Sequence, residues 1–339
     1  MHLRCFPYTL ELKHAFTLAT SSRTATPAVL VELEEDGIIG YGEASLPPYL
    51  GETPESVTAF LSNIDLTLFP DLTDVASVLG AVDALASGHH AAKAAFDIAL
   101  HDWVGKKNGF AWHQHWGLNP DDTPRTSFTI GIEQDPKLLR QKVEEAAEFR
   151  ILKVKLGREN DREMIETIRE VTDTPLRVDV NQGWMQKEAA LRMIEWLATR
   201  NVELVEQPMP KAMIEEHAWL RERSPLPIIA DESVGRLDDV HGAVGAYDGI
   251  NIKLMKCTGM HEALKMIHRA RESGLKVMLG CMTETSCAIS AATQLSPLAD
   301  YADLDGAALI ANDPFVGATI VGGRMKMPEG YGIGVKKVH

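Results

Sequence analysis

Two lysines separated by one apolar residue, in Leu152-Lys153-Val154-Lys155-Leu156, are the first place in this chain where chemistry can be read. A strand sends alternate side chains to the same face, so both ammonium groups would point one way while Leu and Val meet a packed layer. In a cavity each cation raises the cost of charging the other, which favours a neutral, proton-accepting lysine. Taken alone, the pair is better explained as a solvated edge strand, where lysine guards against aggregation. The downstream sequence decides against that. Short apolar runs there end in charge: Arg177-Val178-Asp179-Val180, Leu204-Val205-Glu206, Ile228-Ile229-Ala230-Asp231, Ile250-Asn251-Ile252-Lys253 and Tyr301-Ala302-Asp303-Leu304-Asp305. From Lys153 through Asp179, Glu206 and Asp231 to Lys253 the steps are 26, 27, 25 and 22 residues, and Asp303 follows after 50, two such steps. A strand, a helix and two short loops fill a step of that size, so the spacing is that of a β/α repeat.

Charges at the carboxyl ends of successive parallel strands mark the face of a (β/α)8-type barrel where active sites lie. Residues 127–132 supply the first strand and the lysine pair the second; Asp179, Glu206 and Asp231 end the third to fifth. Lys253 ends the sixth, Lys276-Val277-Met278-Leu279 is the seventh, and Asp303 to Asp305 close the eighth. In a ring of eight the second and sixth strands are opposite. Lys155 and Lys253 should therefore face each other across the mouth, with three carboxylates on the wall between them. Three oxygen donors without His or Cys suit a hard cation that keeps water or substrate in its open positions, Mg2+ first among them. One such acid would be an ordinary surface or helix-capping charge; three on consecutive strand ends would not.

The elements that must position these groups are plain. Helices over 136–149, 161–171, 187–199, 215–222 and 260–273 carry apolar residues at spacings of three and four. Ahead of the barrel, residues 1–46 alternate apolar and polar around a turn at Glu35-Asp36-Gly37, an antiparallel meander. Residues 54–107 read as helices, opening at Thr53-Pro54-Glu55 with a cap and a proline at the first helical position. Strands followed by helices make an α+β unit distinct from the alternating region. Two of its loops, Thr20 to Thr26 with the single cation Arg23 and Pro47 to Glu52, would be a lid if the unit sits over the barrel mouth. His113 and His115 lie two apart without a third ligand nearby, so 111–117 reads as a connecting loop rather than a zinc site.

With 339 residues, 45% hydrophobic and 24% charged, the chain is long enough for a barrel plus one smaller domain. A formal charge of -14 without any lysine or arginine run argues against nucleic acid. No apolar run approaches the ~20 residues of a membrane span and no signal peptide opens the chain, so a cytoplasmic enzyme is expected. Cys5, Cys257, Cys281 and Cys287 lack C-x-x-C spacing and read as reduced thiols.

Over essentially its whole length the chain resembles the enolase superfamily, in its muconate-lactonizing subgroup, and within that the dipeptide epimerases of the L-Ala-D/L-Glu type. The resemblance lies in Lys153-Val154-Lys155, Asp179-Val180-Asn181, Val205-Glu206-Gln207-Pro208, Ala230-Asp231-Glu232-Ser233, Asn251-Ile252-Lys253-Leu254-Met255-Lys256 and Asp303-Leu304-Asp305. It implies an α/β chain: a (β/α)7β modified TIM barrel over 116–311 under an N-terminal α+β capping domain, 1–115 completed by 312–339. It implies one Mg2+ per subunit on Asp179, Glu206 and Asp231, and epimerisation by Lys155 and Lys253 from opposite faces of an enediolate. Lys153 would hold the substrate carboxylate, Asp303 and Asp305 the dipeptide ammonium, and Arg23 an acidic second side chain. A homo-oligomer and a place in murein peptide metabolism go with it. On the same scaffold an o-succinylbenzoate synthase or muconate cycloisomerase would use one lysine as base and the other as a charge support. A catalytically retired structural or binding protein is the alternative of another class, and the intact lysines and acids argue against it, because buried like charges are costly.

Overall fold

The computed structural model describes residues 2–17 and 22–338. The chain opens with an antiparallel sheet in the order β1 (His2–Thr17), β2 (Ser22–Glu35), β3 (Ile38–Ser45). Asp36 and Gly37 turn β2 into β3 at φ of 53° and 77°. The polar stretch expected as a loop differs: its residues from Ser22 to Thr26 belong to β2, with Arg23 opposite Phe16, while Thr20 and Ser21 lie outside the described residues. The long β1 partner supplies the backbone hydrogen bonds that a polar side-chain pattern alone does not reveal.

Helices α1 (Pro54–Ser62), α2 (Val75–Ala84), α3 (His90–Asn108) and the single turn α4 (Trp112–His115) follow. The Thr53 hydroxyl accepts from Ser56 N, and Ser56 Oγ accepts from Thr53 N, a reciprocal cap at the start of α1. In α4 the His113 ring lies 2.7 Å from Gln294 Oε1 and His115 stacks on Phe110, so the two histidines have packing roles.

The barrel strands are β4 (Phe128–Ile130), β5 (Leu152–Lys155), β6 (Leu176–Asp179), β7 (Val202–Glu206), β8 (Ile228–Ala230), β9 (Gly249–Lys253), β10 (Lys276–Gly280) and β11 (Tyr301–Asp303), all parallel and in sequence order. Ser127 N donates to Ala302 O at 3.2 Å and joins the two ends of the ring. Between strands run α5 (Pro136–Glu145), α6 (Asp161–Arg169), α7 (Lys187–Ala198), α8 (Ile214–Arg221), α9 (Val240–Ala243), α10 (Met260–Glu272) and α11 (Ser286–Leu295). Register sets the charged ends level: Lys155 pairs with Asp179, Asp179 with Glu206, and Gly280 with both Lys253 and Asp303. After the barrel, β12 (Phe315–Val316) pairs with β15 (Lys336–Lys337) around the hairpin β13 (Thr319–Val321) and β14 (Arg324–Lys326).

Two buried carboxylates from the N-terminal unit cap barrel helices. Asp97 on α3 accepts from Met260 N at 2.6 Å and His261 N at 3.1 Å, at the start of α10. Glu43 on β3 accepts from Thr285 N at 2.9 Å and Ala288 N at 3.3 Å, at the start of α11. Orphan helix amides are thus satisfied from across the interface, which fixes how the cap sits on the barrel.

Helix α3, buried at every position from Ala91 to Gly105, presses closely on β3. A Cβ at Gly42 would stand 2.0 Å from Ala95 O, and one at Gly40 2.2 Å from Ala99 O. Gly42→Ala is therefore expected to destabilise the fold by about 1 to 3 kcal/mol, the usual range for overpacking. Urea unfolding tests this, and a midpoint equal to wild type would show that helix and strand are not in such close contact.

Candidate active site

A cavity of about 520 Å³ opens over the carboxyl ends of the strands. From the barrel it is lined by Lys153, Lys155, Asp231, Lys253, Asp303 and Asp305, and from the cap by Phe16, Arg23 and Tyr49. All the substrate and lysine candidates named from the sequence thus reach one space.

Asp179, Glu206 and Asp231 lie together beneath it, each 3% exposed or less, with one carboxylate oxygen apiece within 4.8 Å of the others. Ammonium groups compensate them. Lys153 Nζ lies 2.7 Å from Glu206 Oε2, 3.1 Å from Asp179 Oδ2 and 2.7 Å from Asp303 Oδ2. Lys155 donates to Asp179 at 2.6 Å and Lys253 to Asp231 at 2.7 Å. Burial opposes ionisation at all three acids. At Asp179 the lysines Lys155 and Lys153 outweigh it, and at Asp231 Lys253 and Lys256 do, so both carboxyls are held below their ordinary value. At Glu206 burial and the Asp179 charge win and raise the carboxyl to about 8. Glu206 Oε2 has its ion pair with Lys153 but no hydrogen-bond partner among the described residues. An all-oxygen, buried, acid-rich cluster with an oxygen left open fits a hard divalent cation.

Lys153 and Lys253 differ from the sequence expectation of values drawn towards neutrality. Burial disfavours the Lys253 ammonium, but Asp231 outweighs it and holds that lysine well above its ordinary pKa. Burial likewise opposes Lys153, and Asp303, Glu206 and Asp179 raise it. The nearest charges to each lysine are carboxylates rather than the other lysines, which spacing along a strand does not show.

Asp303 ends β11 and accepts from Ser127 Oγ at 2.7 Å; Asp305 lies beyond the strand, in the following turn, and accepts from Thr129 N at 2.6 Å. Burial and the Asp303 charge raise the Asp305 carboxyl to about 7.

Other residues of the same motifs shape the cluster through contacts the sequence did not assign. Asn251 Nδ2 donates to Glu206 Oε1 at 2.8 Å, and Lys256 Nζ reaches Asp231 Oδ1 at 2.6 Å. Gln207, fully buried with φ 36°, accepts from Asp231 N at 2.9 Å and so ties the end of β7 to that of β8. Left-handed backbone at Asn181 (φ 44°) and Gln182 (φ 68°) follows Asp179, strain of a kind that gathers at functional sites.

Residues 3–117 match the mandelate racemase/muconate lactonizing enzyme N-terminal domain, and residues 137–337 the enolase C-terminal domain-like family. This chain belongs to the enolase superfamily. It is 56% identical over 339 residues to an L-Ala-D/L-Glu epimerase of Bacteroides thetaiotaomicron, covering 100% of this chain and 88% of that protein. Among solved structures it is similar to a substrate-liganded L-Ala-D/L-Glu epimerase from Bacillus subtilis, at TM-score 0.92 and 28% identity over 99% of this chain and 98% of that one. It is also similar to a dipeptide epimerase from Enterococcus faecalis complexed with Mg and L-Leu-L-Tyr, at TM-score 0.90 and 32% identity over 98% of each. The superfamily architecture, a nearly closed barrel of eight parallel strands beneath an N-terminal capping domain, is the one described above.

A further acid, Glu284, stands buried beside the cavity and accepts from Met282 N at 2.8 Å. Burial, with the Glu43 charge next, raises its carboxyl from 4.5 to about 8. Across that window the unfolded chain has released the proton and the folded chain keeps it, so stability falls as pH rises. Glu284→Gln removes this part of the slope. Its urea midpoint should gain on wild type between about pH 5 and pH 8, and parallel profiles would show that Glu284 ionises alike in both states.

Proposed function

We propose that this protein is a Mg2+-dependent dipeptide epimerase that moves a proton at the α-carbon of the C-terminal residue, with L-Ala-D/L-Glu as its substrate. The observation that carries the reading is the placement of Lys155 and Lys253 at the ends of β5 and β9, opposite strands of the ring, on either side of an acid cluster. The likeness to the epimerases of Bacteroides thetaiotaomicron and Bacillus subtilis supports the substrate class, and the Mg complex of the Enterococcus faecalis enzyme supports the metal.

In this reading Asp179, Glu206 and Asp231 hold the cation. When bound, Mg2+ would supply positive charge beside the substrate carboxylate and offset the acids that keep Lys153 and Lys253 in their ammonium forms. Lys153 holds the substrate carboxylate, whose oxygens take up a second negative charge as the α-proton leaves. Lys155 Nζ removes that proton from one face and Lys253 Nζ returns one to the other; in the reverse direction they exchange roles. Asp303 and Asp305 receive the dipeptide ammonium, a group that substrates of o-succinylbenzoate synthase or muconate cycloisomerase lack. The side chain of the second residue then points to the cap, where Arg23 has no acidic partner among the described residues and a guanidinium suits a carboxylate.

The same reading takes residues 1–115, completed by 312–339, as the cap and 116–311 as the barrel. Lys337 Nζ on Glu32 at 2.8 Å and Ile333 N on Asp102 at 3.1 Å support joining the tail to the cap. The β13–β14 hairpin instead meets the barrel, where Thr126 N donates to Gly323 O at 2.9 Å. A cytoplasmic homo-oligomer acting on murein peptides completes the proposal. The outer edge of β1, where Phe6 is 39% exposed, supports association with another copy.

Dialysis against chelator should abolish turnover and Mg2+ restore it, and Asp179→Asn, Glu206→Gln and Asp231→Asn should each be severely impaired; full turnover in chelator removes the metal assignment. In D2O each epimer should gain deuterium at one stereocentre. Lys155→Ala and Lys253→Ala should both lose epimerisation, each keeping at most exchange of the epimer whose proton faces the surviving lysine. Near wild-type epimerisation by either variant rules out the two-base mechanism. Arg23→Ala should cut kcat/KM for L-Ala-L-Glu by well over tenfold, since losing a charged hydrogen-bonded pair costs on the order of 2 to 5 kcal/mol. An equal loss for an L-Ala dipeptide with an apolar second residue would remove the Glu assignment and leave the epimerase standing.

A further inference from the structure

Three neutral groups surround the Arg23 guanidinium. Its Nε donates to Thr26 Oγ1 at 3.0 Å, its central carbon lies 5.1 Å from the centroid of the Phe16 ring, and the Tyr49 hydroxyl stands near it on the same cavity wall. The Tyr49 proton is engaged elsewhere, donated to Met282 Sδ at 3.0 Å, which leaves the phenol oxygen only as an acceptor for a nearby donor such as the guanidinium. Thr26 is fully buried, and its Oγ1 lies 2.8 Å from Thr283 Oγ1; Thr283 O in turn accepts from Ser45 Oγ at 2.7 Å. A cap strand, the loop after β3 and the barrel loop after β10 therefore converge on one cation.

A carboxylate partner would orient the fork more strongly but would cancel its charge, leaving little to attract a second carboxylate. Hydroxyl oxygens orient it and leave the charge in place. Of the five guanidinium donors, only Nε is hydrogen-bonded among the described residues, and the others are placed to meet a ligand. Burial disfavours the Arg23 cation, so an arriving anion relieves an incomplete solvation.

We propose that Thr26 and Tyr49 are positioning residues for substrate choice: their hydroxyl oxygens aim the Arg23 fork at an acidic second side chain without neutralising it. The inference rests on the epimerase reading and on Arg23 as the residue that grips that side chain.

The test compares Tyr49→Phe and Thr26→Val with wild type, Arg23→Ala and the double variant Tyr49→Phe/Arg23→Ala on L-Ala-L-Glu and L-Ala-L-Met, read by deuterium incorporation. Each hydroxyl loss should lower the ratio of kcat/KM for the Glu over the Met dipeptide by about tenfold, the scale of one hydrogen bond to a charged group. The loss should fall in the KM for the Glu dipeptide rather than in kcat, and Thr26→Ser should restore the ratio. In the Arg23→Ala background Tyr49→Phe should have no further effect on the ratio. An unchanged ratio in Tyr49→Phe, whose ring is 54% exposed and whose loss of one oxygen spares the fold, overturns the proposal. So does an effect that persists without Arg23. If Arg23→Ala itself leaves the ratio unchanged, the Glu assignment falls first and the clamp falls with it; if only the hydroxyl variants are silent, the clamp alone is wrong.

Discussion

Buried charge is the constraint on which the rest of this structure depends. A carboxylate taken out of water is tolerable only with a partner, and removing one partner of a buried pair leaves an uncompensated ion. Beneath the cavity Lys153 stands within 3.1 Å of Asp179, Glu206 and Asp303 together, and Lys253 within 2.7 Å of Asp231. None of these groups could be buried alone. The parallel register makes the arrangement possible, because it brings the last residues of neighbouring strands to the same height and so places acid beside ammonium.

The cap meets this charged floor in two different ways. Where it docks, its acids are consumed by backbone amides: Asp97 at the start of α10 and Glu43 at the start of α11 end in helix N-termini, which fix the unit in place. Where it faces the cavity it presents Arg23, held by the Thr26 hydroxyl and the Phe16 ring, with no acid on it among the described residues. Lysines in the floor are paired with acids, and among the described residues the guanidinium in the roof is not. In the proposed reading, a ligand with two carboxylates and one ammonium would meet Lys153 and the cation held by the acid cluster below, Asp303 and Asp305 at one side, and Arg23 above.

The strand ends were legible because a β/α unit has a nearly fixed length, so chemistry at its C-terminal end recurs in sequence with that period. Lys155, Asp179, Glu206, Asp231, Lys253 and Asp303 all carry this signal, and the helices between them carry the spacing of three and four. Arg23 was visible as a lone cation in a polar stretch, but its strand conformation was not, since β1 supplies the pairing from the other side of the turn. Asn251 and Gln207 lie in motifs visible in sequence, yet their bonds to Glu206 and Asp231 depend on neighbours about 24 to 45 residues away.

By itself, then, the sequence determined the repeat, the order of the strands and which face carries the charged ends, because each follows from local periodicity and from a chain that must return to the same edge after every helix. Only the tertiary structure decided the electrostatic state of those ends. Whether a lysine leans on another lysine or on a carboxylate is settled by side chains on neighbouring strands: alternation with Lys155 pointed to the neutral form of Lys153, but Asp303, Glu206 and Asp179 lie nearer and raise it, as Asp231 raises Lys253. It also decided what holds Arg23. Thr26 is a near neighbour on β2, but Thr283, which holds its hydroxyl, is 257 residues on and reaches it only because two capped helices fix the cap on the barrel.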